Sequence, residues 1–123
     1  MSLTDYRMDA CYSFRIRAGE ETLLVGSHPV QADVLFISPY QPAALLQKTL
    51  RTVRPHRVVL IHWDDFFRPL NQPLRPMIAT WAQGLRGWPP VRKLDVGAVA
   101  RRINEILPGV EVTVPELMRE YDV

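Results

Sequence analysis

The residues best suited to chemistry follow an apolar run in the middle of the chain. Val58 to Ile61 are consecutive branched apolar residues, and His62, Trp63, Asp64 and Asp65 come directly after them. An imidazole beside carboxylates can act as a general acid or base, or it can ligate a metal ion while a carboxylate orients its ring. A histidine at a strand end can equally make a structural hydrogen bond, so His62 alone leaves these alternatives open.

The two carboxylates have a competing interpretation. Asp64 is a candidate for supporting a metal ligand or for fixing the tautomer of His62. One carboxylate of such a pair can instead cap the following loop while the other is solvated, and for Asp65 we favour this interpretation. Trp63 is expected to form part of the core or of a pocket wall.

Polar residues also follow two other predicted strands. Ser27 and His28 come after Thr22–Val25, and Ser38 comes after Asp33–Ile37. In open α/β sheets, ligands bind at the carboxyl ends of the strands. Ser27 and Ser38 are therefore candidate pocket residues, together with Trp63 and Asp65, whereas no catalytic residue is assigned.

The elements that would position these residues can be read from the hydrophobic pattern. Alternation over residues 12–17, a turn at Gly19 and the strand Thr22–Val25 predict a hairpin. Asp33–Ile37, a helix from Pro42 to Val53 and the run ending at Ile61 form a β-α-β unit, which implies parallel strands. The predicted fold is α/β, a mixed sheet with flanking helices, with Ser38 and His62 at the same sheet edge.

The second half of the chain continues this α/β pattern. The sequence predicts a proline-rich loop over residues 68–76, a helix from Met77 to Leu85 and a short strand from Val91 to Leu94. Asp95 is a good N-cap for a further helix, and Val110 to Val114 alternate as a last strand. We divide the chain into residues 1–9 as an extension or expression-derived segment, 10–115 as a single α/β domain and 116–123 as a C-terminal tail.

Composition narrows the functional classes. A chain of 123 residues with 47% hydrophobic and 23% charged residues is typical of one soluble globular domain. The net charge of +2 is spread along the chain, so no nucleic-acid-binding surface is predicted. The single cysteine excludes an intramolecular disulfide, and no apolar run approaches the roughly 20 residues of a membrane span. We therefore expect a cytoplasmic protein that does not interact with membranes.

Taken together, these features resemble the later half of a metallo-β-lactamase-fold hydrolase. The resemblance covers about residue 10 to about residue 115. It rests on the hairpin Tyr12–Val25, the turn Gly26–His28, the strand Asp33–Ile37 with its helix, and the run Val58–Phe66. In that family the last metal-binding histidine follows a late apolar strand, and His62 occupies the matching position. The resemblance thus implies that His62 ligates zinc or another divalent metal in the complete protein, with Asp64 and His28 as supporting candidates.

The chain departs from the family pattern in two places. The principal metal motif of the family, His-x-His-x-Asp-His, is absent from this sequence. Where the family often has a bridging aspartate, this chain has Ser27 and then His28. A catalytic zinc site usually has three protein ligands, so the resemblance implies a chain that is inactive alone.

The resemblance also has a consequence for partners. A metallo-β-lactamase fold is an αββα sandwich, and half of it would expose an apolar sheet face. We expect this chain to form a homo-oligomer through that face or to pack on a missing N-terminal half. The alternative is a non-catalytic α/β dimerisation or interaction module, in which residues 62–65 and the proline-rich loop form a contact surface. A receiver-like domain fits poorly, because that architecture needs its acidic pair at the first strand.

Overall fold

The first two strands form the hairpin that the alternating residues predict. The computed structural model describes residues 12–26, 28, 30–62, 95–116 and 119–122. Strands β1 (Phe14–Ala18) and β2 (Glu21–Val25) pair antiparallel, with Phe14 opposite Val25 and Ala18 opposite Glu21. Gly19 has a φ of 63°, a left-handed conformation that glycine adopts without a steric penalty. The predicted turn at this glycine is therefore confirmed.

The central β-α-β unit is also confirmed. Strand β3 (Val34–Ile37) leads into helix α1 (Ala43–Val53), and strand β4 (Arg57–Leu60) then pairs parallel with β3. Helix α1 ends because Arg54 takes a left-handed conformation and Pro55 follows, which cannot continue a helix. Strand β2 pairs parallel with the other side of β3.

The last elements complete a mixed sheet. Helix α2 (Val96–Ile106) starts at the predicted cap, where Asp95 Oδ1 accepts a hydrogen bond of 2.9 Å from the Ala98 N–H. Strand β5 (Glu111–Thr113) is shorter than the predicted 110–114 and pairs parallel with β4. In the described part of the chain, the five strands follow sequence order from β1 to β5 across one sheet. The fold is thus α/β, as predicted.

Both helices pack on one face of the sheet, here called the helix face. The strands contribute a row of directly paired residues to this face, Leu24, Leu35, Val58 and Val112. Leu50 and Val53 of α1 and Ile103 of α2 are at most 1% exposed and cover that row. Burial of these side chains stabilises the domain, at roughly 1.5–3 kcal/mol for each large apolar side chain.

The opposite side, here called the open face, carries the other residues of the same strands. Its central row pairs Phe14, Val25, Phe36, Val59 and Thr113 across the sheet. Val25, Phe36 and Val59 are half-buried, and Phe14 is 60% exposed. Val34, two residues before Phe36 on the same face, is fully buried. The open face is therefore apolar at its centre, covered at Val34 and exposed towards β1.

Several predictions fall outside the described residues. These are the proline-rich loop at 68–76, the helix Met77–Leu85, the strand Val91–Leu94 and the segment 1–9. The described residues of the tail, 116 and 119–122, are irregular. Among the described residues, no helix is long and apolar enough to cross a membrane.

Candidate functional site

The carboxyl ends of strands β2, β3 and β4 lie side by side at one edge of the sheet, here called the carboxyl edge. The three strands are adjacent and parallel, so their chains leave the sheet in the same direction. Two hydrogen bonds extend the pairing to this edge: Gly26 N–H donates to the Phe36 carbonyl at 3.1 Å, and Ile61 N–H donates to the Ile37 carbonyl at 3.0 Å. Each of these strand ends is followed by polar residues that the sequence indicates as candidate site residues.

His62 lies at the end of β4 with its side chain exposed to solvent. Its φ of 54° is left-handed, a conformation uncommon for residues with a Cβ but several-fold enriched for histidine. The backbone therefore turns sharply where β4 leaves the sheet. Trp63, Asp64 and Asp65, which follow His62 in the sequence, lie outside the described residues.

Ser38 follows β3 at the same edge and is half-buried. Its Oγ accepts a hydrogen bond of 3.4 Å from the Tyr40 N–H, which closes a small turn between β3 and α1. A hydroxyl has a second acceptor lone pair and one donor, so this bond leaves Ser38 with further hydrogen-bonding capacity. The β-α-β prediction that Ser38 and His62 share an edge is confirmed.

His28 follows β2 and is also exposed. Its carbonyl accepts a hydrogen bond of 2.9 Å from the Val30 N–H, so the backbone turns back towards β3. Strands β2 and β4 are separated by β3, and two strand spacings amount to about 9.6 Å. A ligand held by both imidazoles would therefore span the end of β3. Ser27 lies outside the described residues.

The described residues at the carboxyl edge provide only some of the side chains that a metal ion would need as ligands. Among the described residues, no group of three or more His, Cys, Asp or Glu side chains is arranged to hold a metal ion. A catalytic zinc site needs three protein ligands, and the described carboxyl edge provides two separated imidazoles. The described residues alone thus do not fit a complete metal site.

His56 lies at the other end of β4, so it does not contribute to the carboxyl edge. Its Nε2 is 3.5 Å from a carboxylate oxygen of Glu21, and both side chains are exposed to solvent. The Asp33 carbonyl accepts a hydrogen bond of 3.0 Å from the His56 N–H. His56 and His62 thus lie at opposite edges of the sheet, because strand β4 separates them.

The C-terminal tail covers part of the open face, which sequence reasoning did not anticipate. Arg57 on β4 donates from Nε to Glu111 Oε2 at 3.1 Å and from Nη1 to the Asp122 carbonyl. The Tyr121 hydroxyl accepts a hydrogen bond of 2.9 Å from the Glu116 N–H. A cavity of about 170 Å³ between tail and sheet is lined by Phe36 and Val59, among others. In the sequence, the feature that could have indicated this contact is Arg57, a charged residue at the start of an otherwise apolar strand.

One further tail contact shifts a pKa. A hydrogen bond of 3.2 Å from Arg119 Nη1 to Glu116 Oε2 raises the pKa of the Arg119 guanidinium above its ordinary value. Arg119 therefore remains charged throughout the physiological range, as arginine does in general.

Comparison with known proteins does not assign the chain to a family. No protein-family model, curated protein or solved structure matches it.

Proposed function

We propose that this chain is the C-terminal portion of a metallo-β-lactamase-like, metal-dependent hydrolase. The observation that carries the proposal is the distribution of apolar residues over the two sheet faces. The helices cover the helix face, while the open face has an apolar central row that is half-buried or exposed. A sheet with one face on helices and the other on a second sheet is one half of an αββα sandwich.

In this proposal the open face packs on the sheet that bears the remaining metal ligands. The carboxyl edge then contributes His62 as one ligand, with His28 and Asp64 as supporting candidates and Ser27, Ser38, Trp63 and Asp65 around the pocket. A zinc ion, or another divalent metal, would lower the pKa of a bound water molecule and polarise the substrate. The chain alone has too few ligands for this chemistry, so we expect it to be catalytically inactive.

A zinc titration of the full chain tests the role of His62. We expect weak zinc binding that His62→Ala reduces about tenfold, because an imidazole ligand is lost. His56→Ala is the matched control: it removes an imidazole from the other end of β4 and should leave zinc affinity unchanged. Equal effects of the two substitutions on zinc affinity would show that His62 is not a specific zinc ligand.

Activity measurements complete the test. Esterase, lactonase and phosphodiesterase assays on the purified chain should give no turnover. Tight, stoichiometric zinc binding accompanied by turnover would refute the proposal, because the chain would then contain a complete site.

A second candidate function is a non-catalytic interaction module that dimerises. It is favoured by β1, whose five residues are all exposed, with large apolar side chains at Phe14 (60%) and Ile16 (48%) on the open face. An edge strand with exposed apolar residues is a common protein-protein contact. If His62→Ala leaves zinc binding unchanged while Phe14→Asp weakens self-association, this second function is favoured over the first.

A further inference from the structure

A second concave surface lies at the opposite edge of the sheet from Ser38 and His62. It is an open cavity of about 520 Å³, here called the basic basin, between the end of α1 and the connection from α2 to β5. Its volume is within the range of about 300–1,000 Å³ that is typical of small-molecule sites. The residues that line it are Arg51, Arg54, Pro55, His56, Leu107, Pro108, Gly109 and Val110.

The polar part of this lining is cationic. Arg51 and Arg54 carry permanent positive charges, and His56 adds an imidazole two residues after Arg54. Among the described residues that line the basin, none is acidic. Glu21 approaches His56 at 3.5 Å but does not line the basin. An anion in the basin would therefore meet two guanidinium groups without a competing carboxylate in the lining.

Arg51 lies in the last turn of α1, and Arg54 is the C-cap of this helix, held there by two hydrogen bonds to backbone carbonyls. The Arg54 N–H donates to the Leu50 carbonyl at 2.9 Å, and Arg54 Nε donates to the Arg51 carbonyl at 3.3 Å. The first bond holds the Arg54 backbone, and the second uses the Nε donor of the guanidinium and leaves its Nη1 and Nη2 groups as donors. Guanidinium groups bind carboxylates and phosphates through paired hydrogen bonds, which makes them suitable for either anion.

Arg54 occupies a position where its residue type is unfavourable. Its φ of 51° is left-handed, and at the C-terminal end of a helix this conformation is most often taken by glycine. An arginine here therefore has a backbone cost that a glycine would avoid. Non-glycine residues in such conformations are concentrated at functional sites. The backbone cost therefore suggests that the guanidinium group of Arg54 has a function, such as binding a ligand.

The remaining lining is apolar. Pro55 is buried, Val110 is 8% exposed and Leu107 is half-buried, and they form the floor of the basin. Inorganic phosphate would leave this floor uncovered. A ligand with an apolar body and one anionic group matches both parts of the lining.

We propose that the basic basin binds a small organic anion, with its carboxylate or phosphate at Arg51 and Arg54 and its apolar body on the floor. This site is separate from the carboxyl edge and does not depend on the proposed hydrolase function.

Equilibrium binding to the full chain, followed by calorimetry and by amide chemical shifts in NMR, tests the proposal. The probes are benzoate, phenyl phosphate, inorganic phosphate and benzyl alcohol. We expect benzoate or phenyl phosphate to bind at least about tenfold more tightly than the other two, since only these probes combine charge with an apolar ring. The tighter of the two identifies the anion class, and chemical shift changes should centre on residues 51–56 and 107–110.

Arg54→Gly is the decisive variant. It should weaken binding of the preferred probe about tenfold or more while leaving the melting temperature unchanged or higher, because glycine suits the left-handed position. Arg102→Ala is the matched control: it removes one exposed positive charge of α2 outside the basin and should leave the affinity unchanged.

Three results would overturn the proposal. The first is no measurable binding of either aromatic anion, and the second is equal binding of benzyl alcohol, which lacks the charge. The third is an equal loss of affinity in Arg54→Gly and Arg102→Ala, because that would reflect the overall charge of the protein.

Discussion

At the scale of single residues, His62 combines a reactive side chain with an unfavourable backbone conformation. It is exposed at the carboxyl edge, and its φ of 54° lies in the left-handed region. Strained residues of this kind are concentrated at active sites and ligand contacts, where function offsets their cost. We therefore propose that the cost of this conformation, which histidine adopts more readily than most residues, is offset by a functional use of the imidazole.

Replacing His62 with glycine should stabilise the protein. Glycine adopts a left-handed φ without a Cβ clash, so we expect His62→Gly to raise the free energy of unfolding by about 0.5–1 kcal/mol in urea denaturation. His62→Ala keeps the Cβ and should change stability by less than about 0.5 kcal/mol. A loss of more than about 1 kcal/mol in His62→Gly would mean that the imidazole is a structural residue.

Some features of the candidate site could be predicted from the sequence at this scale, and others could not. The shared edge of Ser38 and His62 follows from the β-α-β pattern, because the connection between the strands is local. The presence of His28 at the same edge depends on β2 pairing parallel with β3, and the hydrophobic pattern does not specify that partner. The left-handed conformations of His62 and Arg54 are likewise set by their surroundings.

At the scale of elements, the N-terminus of α2 depends on Asp95. Its side chain accepts a hydrogen bond from Ala98 N–H at 2.9 Å, and the next helical residues include Gly97, a poor helix former. We expect Asp95→Ala to cost about 1 kcal/mol in urea denaturation, because a helix N–H loses its partner. Asp95→Asn keeps an acceptor oxygen and is the control. An equal loss in both variants would indicate that the charge matters more than the cap.

Helix α1 allows a test of the helix face with a matched pair of leucines. Leu50 is fully buried against the sheet, whereas Leu45 on the same helix is 40% exposed. Leu50→Ala should cost about 2–5 kcal/mol in urea denaturation, because it leaves a cavity in the core. Leu45→Ala should change stability by no more than about 0.5 kcal/mol. Similar losses at both positions would contradict the packing described here.

The apolar residues of strand β4 predict not only a strand but also how deeply each of its faces is buried. An uninterrupted apolar run predicts a strand buried on both faces. Val58 and Leu60 are fully buried on the helix face, whereas Val59 and Ile61 are only half-buried on the open face. The sequence therefore predicts that Val59 and Ile61 are buried more completely on the open face than they are in the described part of the chain.

At the scale of the whole molecule, the open face is the feature on which the proposed function rests. Its central row extends from the exposed Phe14 through Phe36 to Val59. In the described part of the chain, the tail lies over the β4 and β5 side of this face and leaves Phe14 exposed. The fold class could be predicted from the sequence because hydrophobic periodicity specifies strands and helices locally. What packs on the open face is not encoded in that periodicity.

Sedimentation velocity of the full chain at micromolar concentration tests the central claim that the open face packs on a second sheet. When no other sheet is present, a second copy is the available partner, so we expect the mass of two chains. Phe14→Asp should shift the protein to the mass of one chain with its melting temperature preserved, because Phe14 is exposed within the single chain. Arg15→Asp introduces the same carboxylate on the other face of β1 and should leave the dimer intact. A stable monomer for the unmodified chain, or equal dissociation by both substitutions, would contradict the account.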